Sequence, residues 1–250
     1  MSLDLSSMLR DWPYEPGKIN VRLIPGDDGD DRVQMRLDLG VLQMRVDGRP
    51  DGQRPRGYES LLEYHEARID ELQREQGNVS GFVISADDCR ELREEAVQYY
   101  HRYMALLVLD DYDGVVRDTS RNLRVLDLCA VHAETESDRQ ALEPFRAYIT
   151  MMRARALASQ ALKDNEPKAA ILALDEGLEA LRRHYTQAGE EASFDSSSEV
   201  QLLKGMRESL VPKLPLSQKA ELKKRLQDAL MAENYELAAI LRDELKNMAE

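Results

Sequence analysis

Cysteine is scarce in this chain, two residues in 250, and neither Cys89 nor Cys129 belongs to a C-x-x-C pair or has a histidine at metal-ligand spacing. That usage excludes a disulfide framework and a zinc site and points to two buried free thiols. Long apolar runs are absent as well. The longest, Met104 to Leu109, spans six residues, against the ~20 needed to cross a bilayer. At the N-terminus Asp4 stands where a signal peptide carries positive charge, and the apolar residues of the first ten positions are scattered singly. A cytoplasmic protein is expected. Positive charge is in deficit, with 34 basic against 47 acidic residues and a net charge of −13. Such a surface repels a phosphate backbone, so direct binding of nucleic acid is not expected. The densest basic stretch, Lys219, Lys223, Lys224 and Arg225, is diluted by Glu221 and Asp228.

Catalytic signatures are also missing. The histidines, His65, His101, His132 and His184, are isolated, and there is no HExxH, GxSxG, GxGxxG or GxxxxGK[ST]. The closest arrangement to a metal site is Glu95 with Tyr99 and His101. On a helix, however, Glu95 and His101 point in different directions. The acidic cluster Asp27 to Asp31 around Gly29 lacks the spaced ligands and closing glutamate of a calcium loop and reads as a solvated turn. No catalytic, metal or cofactor-binding residue is assigned, and a protein that is not an enzyme is expected.

What is present is helical periodicity and one short stretch of alternation. The hydrophobic fraction of 42% suffices for a real core. Over residues 18 to 48, Val21 and Leu23, then Val33, Met35, Leu37 and Leu39, then Leu42, Met44 and Val46 alternate with polar neighbours, predicting three short antiparallel strands. The Gly- and Pro-rich string from Asp47 to Gly57 ends this segment. A helix is predicted over Tyr58 to Gln76, with Leu61, Leu62, His65, Ile69 and Leu72 on one face. Ser85 with Asp88 three residues on signals the N-cap of the next. Four long helices follow, over 86–109, 112–132, 138–163 and 167–187, with breaks so short that neighbours pack as hairpins. Gln187 to Ser198 has little to bury and reads as a tether, and Val211-Pro212 and Leu214-Pro215 stop helices before the C-terminal segment. The expected organisation is a β segment with linker at 1–57, a helical domain at 58–186, a linker at 187–215 and a helical hairpin at 216–250.

Three places share a polar turn followed by small or β-branched apolar residues: Asp111 to Val116, Asn165 to Ile171, and Asn234 to Ile240. Around the first two, Tyr99, Tyr103 and Leu106, then Ala154, Ala158 and Ala161, stand about where tetratricopeptide repeats place their packing residues. The middle of the chain resembles such repeats, and a generic helical bundle is the other reading. The third is sharper. Residues 217–248, SQKAELKKRLQDALMAENYELAAILRDELKNM, carry Leu222, Leu226, Ala229 and Glu233, then Tyr235, Glu236, Ala238, Ala239, Leu241, Arg242 and Asp243. They closely resemble the UVR motif of UvrB and UvrC, with Tyr235 where the family usually has Phe. The resemblance implies a two-helix hairpin that docks another UVR hairpin, a partner domain or a second copy of this chain. Leu226, Tyr235, Glu236, Ala238, Ala239, Leu241, Arg242 and Asp243 would then be the partner-binding residues. Arg242 and Asp243 read equally as partners of Glu233 or Glu236 within the hairpin. Without the family, Leu222, Leu226, Ala229 and Leu230 make one apolar stripe, and Tyr235, Ala238, Leu241 and Leu245 the facing one.

The expected fold is thus mainly α: a small N-terminal antiparallel β segment, tetratricopeptide-like helical hairpins and a C-terminal UVR hairpin. The function expected is an adaptor. An accessory role in nucleotide excision repair through UvrB or UvrC is the alternative.

Overall fold

The computed structural model describes residues 4–210, 218–231 and 241–242. The chain is mainly helical with a small antiparallel sheet, and it divides into two compact units, Met1–Arg207 and Glu208–Glu250. Helix α1 is Ser6–Asp11, and strands β1 (Asn20–Pro25), β2 (Asp31–Arg36) and β3 (Val41–Arg45) form a meander in that order. The register sets Val21 opposite Met35, Leu23 opposite Val33, Val33 opposite Met44 and Met35 opposite Leu42, so the alternating apolar residues share one face. On the other face Arg22 donates to Gln34 and Gln34 to Gln43, each at 2.7 Å. The acidic turn is closed by Gly29 at φ +87° and by Asp28, which accepts from Arg32 and, at 3.0 Å, from Arg45. Its charge is answered from within the sheet.

Helices α2 (Leu61–Gln76), α3 (Ala86–Val108), α4 (Tyr112–His132), α5 (Glu136–Gln140), α6 (Arg146–Lys163), α7 (Pro167–Gln187) and α8 (Ser198–Leu210) follow. Ser60 and Ser85 cap α2 and α3 by accepting from the amides three residues on. The 16-residue α2 therefore begins after Ser60, three residues later than the periodicity suggests. Helices α3, α4, α6 and α7 pack each on the next, a helical-repeat-like arrangement. The recurring turn has one physical form. At the ends of α3 and α6, Asp110 and Asn165 take left-handed φ of 55° and 60°. The next amides, of Asp111 and Glu166, reach back to the carbonyls of Leu106 and Ala161 at 3.0 and 2.8 Å. This closes each helix and reverses the chain. The close approach of α6 and α7 depends on Gly177, where a Cβ would stand 2.4 Å from that of Ala154.

The structure departs from the sequence expectation in three places. The helix expected over 138–163 is broken: α5 ends at Gln140, and a 3-10 turn at Glu143–Phe145 precedes α6, because Pro144 lacks an amide donor and disfavours helical backbone at Glu143. The tether read at 187–198 is ordered. Phe194 is buried in a 3-10 turn at Glu191–Ser196, with Arg182 and Lys204 against its ring, and Ser197 accepts from Val200 as the cap of α8. The serines are a cap, and the one aromatic residue is an anchor. Finally, β2 ends at Arg36, so that Leu37 and Leu39, expected to continue its alternation, fall in the turn to β3, where Leu39 is 87% exposed; the β segment lies in the same compact unit as the helices.

Charged side chains join the β segment to the helices. Arg102 of α3 donates to the carbonyls of Arg45 and Gly48 at 3.1 and 2.7 Å, and Arg117 of α4 to Val46 at 2.7 Å. The link to α3 is closed by a parallel bridge, in which the Ile84 amide donates to His132 and the Glu134 amide to Ile84. Behind it lies a core containing Leu62, Ile84, Cys89, Leu92, Leu126 and Cys129.

In the second unit α9 is Gln218–Met231. There Ala229 and Leu241 are buried together with Leu226 packed against them.

Candidate functional site

Between α3 and α6, over α4, lies an open apolar groove of about 480 Å³. Its walls are Val97 and Tyr100 of α3 and Phe145 and Tyr148 at the start of α6, and Leu126 and Ile149 lie at its base. Val97 and Phe145 are 52% and 56% exposed and Tyr100 39%, an unusual amount of apolar surface for adjacent side chains. Phe145 ends the 3-10 turn that contains Pro144 and is exposed at the start of α6. Tyr100 meets buried Tyr103 edge-on at 5.4 Å. The Tyr148 hydroxyl donates to the sulfur of Met104 at 3.3 Å. Burial pushes the Tyr148 and Tyr103 phenols up and the His101 imidazole down. The groove therefore presents neutral rings. Its guanidinium, Arg93, is paired with Asp138 at 2.8 Å.

A network of buried charge ties α3 and α4 to α2 and the β segment. Glu95 is fully buried and accepts from the amide of Leu61 at the start of α2, while Arg121 and, at 3.2 Å, Arg49 pair with it. Arg102 grips Asp118 through two nitrogens at 2.7 Å each, and Arg117 reaches the same carboxylate at 3.0 Å. Burial, with Arg49 and Arg124 nearby, lowers Arg121 to about 9. These carboxylates are engaged by arginines and by a backbone amide, so the network works as a structural clamp. Glu95, which with His101 had offered the nearest approach to a metal site, belongs to it. Among the described residues no group of three or more His, Cys, Asp or Glu is arranged to hold a metal ion. No helix among them is long and apolar enough to cross a membrane.

His65 is fully buried in α2, and neither ring nitrogen has a hydrogen-bond partner. Burial pushes it down to about 4. Tyr64 and Phe82 lie edge-on to the imidazole, which behaves as a core ring. Cys89 and Cys129 are buried free thiols, Cys89 donating to the Ile84 carbonyl at 3.9 Å, and burial raises both, Cys129 to about 12.

Of the residues expected to bind a partner, Leu226 and Leu241 come together with Ala229 in one apolar cluster, and Arg242 is exposed. Tyr235, Glu236, Ala238, Ala239 and Asp243 lie outside the described residues, as does the third recurring turn. The groove residues Val97, Tyr100, Phe145 and Tyr148 were not singled out from the sequence. The available signal was Pro144 followed by an aromatic residue within an otherwise helical pattern.

No family model matches the chain, and neither a curated protein nor a solved structure does.

Proposed function

We propose that this protein is a non-enzymatic adaptor that holds partner proteins, through the apolar groove of its helical body and through the C-terminal segment that resembles a UVR hairpin. The groove carries the reading. Exposed aromatic rings gathered on a helical scaffold, where the lining guanidinium of Arg93 is already paired, suit the capture of apolar side chains from another chain. Two features support the second contact: the C-terminal segment forms a unit of its own, and Leu226, Ala229 and Leu241 form an apolar cluster within it. A hairpin of this size buries little apolar surface and gains stability by docking.

The test uses full-length protein carrying a photo-crosslinking side chain at position 97 or at position 235. Discrete protein adducts at either position, lost at position 97 when Phe145→Ser is added, support the reading. Irradiation that yields no adduct at either position sinks it.

A further inference from the structure

We infer that the groove between α3 and α6 takes a basic amphipathic segment of a partner protein, with apolar side chains seated on Val97 and Phe145 and a lysine or arginine laid over the rings of Tyr100 and Tyr148. The inference rests on the docking reading above and names the chemistry of the partner.

Three observations lead to a cationic occupant. The first is the distribution of charge. Residues 211–250 hold seven acidic and seven basic side chains, so the whole net charge of −13 belongs to residues 1–210, which carry the groove. Cations are drawn to such a body and anions repelled. The second is the groove itself. Its rings present electron-rich faces, which attract a guanidinium or ammonium ion lying over them. The same protein uses this contact within its own fold: Arg121 lies 4.1 Å from the centre of Tyr99, and Arg22 4.1 Å from that of Trp12. The third is the state of the neighbouring charges. Arg93 is neutralised by Asp138, and burial keeps His101 uncharged at neutral pH. Arg155 and Glu199 both act on the Tyr148 phenol, in opposite senses. Glu94, three residues before Val97 on α3, is exposed and offers a carboxylate beside it. Among the residues that line the groove an acidic peptide would find one guanidinium, already paired, whereas a basic one meets rings and, beside Val97, a carboxylate.

The amphipathic form follows from the lining. The exposed apolar area of Val97 and Phe145 needs aliphatic or aromatic partners, and a helix laid in a groove offers them at three- and four-residue spacing with its charges directed outward.

The experiment uses the full chain and two fluorescein-labelled peptides of identical pattern, one of leucine and lysine, the other of leucine and glutamate, with anisotropy read at physiological salt. The lysine peptide is expected to bind. The double change Val97→Ser and Phe145→Ser, which alters no charge, is expected to weaken it roughly tenfold, and Glu94→Gln by about threefold. Both positions are exposed, and an unchanged melting curve verifies the fold of each variant. If both peptides bind equally and both lose affinity in the serine variant, the cationic assignment is overturned while the docking reading stands. If the lysine peptide binds the serine variant as well as the parent, general surface charge holds it and the groove assignment is overturned. If neither peptide binds, docking in this groove fails as a whole.

Discussion

Arg102 and Asp118 face each other across the α3–α4 hairpin with two nitrogen–oxygen contacts of 2.7 Å, and both side chains are almost completely shielded from water. The remaining arm of the guanidinium holds the carbonyls of Arg45 and Gly48. One side chain thus ties the sheet to the helices. Arg102→Met is expected to cost about 3–5 kcal/mol, because it leaves a buried carboxylate without its main partner and two carbonyls without a donor. The value should fall toward the low end, since Arg117 still reaches Asp118. Urea unfolding measures it. A cost below 1 kcal/mol would mean that the network relaxes or hydrates, and that the sheet is held by its apolar face instead.

His65 gives the stability a pH dependence of known sign. Its folded pKa is about 4, depressed by burial from the unfolded value of about 6.5. A depressed pKa means that the unfolded chain takes up a proton which the folded chain refuses. The His65 contribution is therefore complete above pH 6.5 and falls as the pH drops toward 4. The whole loss amounts to about 3 kcal/mol. Urea titrations at pH 7 and pH 4.5 should show a smaller difference in His65→Leu than in the parent protein. Equal differences would mean that carboxylates alone govern the acid limb.

The strands were legible from alternation, since one face of a sheet must be apolar, and the starts of α2 and α3 from serines that the backbone amides require. Other features were hidden for physical reasons. Glu95 and Arg102 lie in one stripe with Leu92, Tyr99, Tyr103 and Leu106, and all are buried, although glutamate and arginine are by type surface residues. In so acidic a chain any single carboxylate looks solvated. Two charges interrupting an apolar helical stripe were the signal of a buried network. The groove depends on Tyr100 and Phe145, which lie on different helices, and only the packing of α3, α4 and α6 brings them together. The order of residues 191–210 was hidden because Phe194 stands alone among acidic and serine residues, and a single anchor leaves no periodic trace.

Gly177 sets two effects against each other. Alanine favours a helix interior by about 1 kcal/mol over glycine, yet here its Cβ would meet that of Ala154 at 2.4 Å and Leu203 at 3.2 Å. Overpacking of this kind costs about 1–3 kcal/mol, so Gly177→Ala should destabilise on balance. Adding Ala154→Gly removes the nearer obstacle and should restore part of the loss, a coupling that a double-mutant cycle reads directly. If Gly177→Ala raises the melting temperature, α6 and α7 can separate without penalty.

Leu241 tests whether the second unit is a thermodynamic entity of its own. It is 2% exposed and clusters with Ala229 and Leu226. Leu241→Asp would place a carboxylate among apolar groups with nothing to compensate it. So small a cluster has little reserve against that cost. The first unit has its own core, formed by other residues. The expected outcome is local: trypsin should cleave within residues 208–250 much faster in the variant, while the main melting transition stays within a degree or two of the parent. With the photo-crosslinking side chain at position 235, Leu241→Asp should also abolish crosslinking from the C-terminal segment, while crosslinking from position 97 stays intact. A shifted main transition would show that the C-terminal segment contributes to the stability of the helical body, and docking by a separate hairpin would then lose its physical basis.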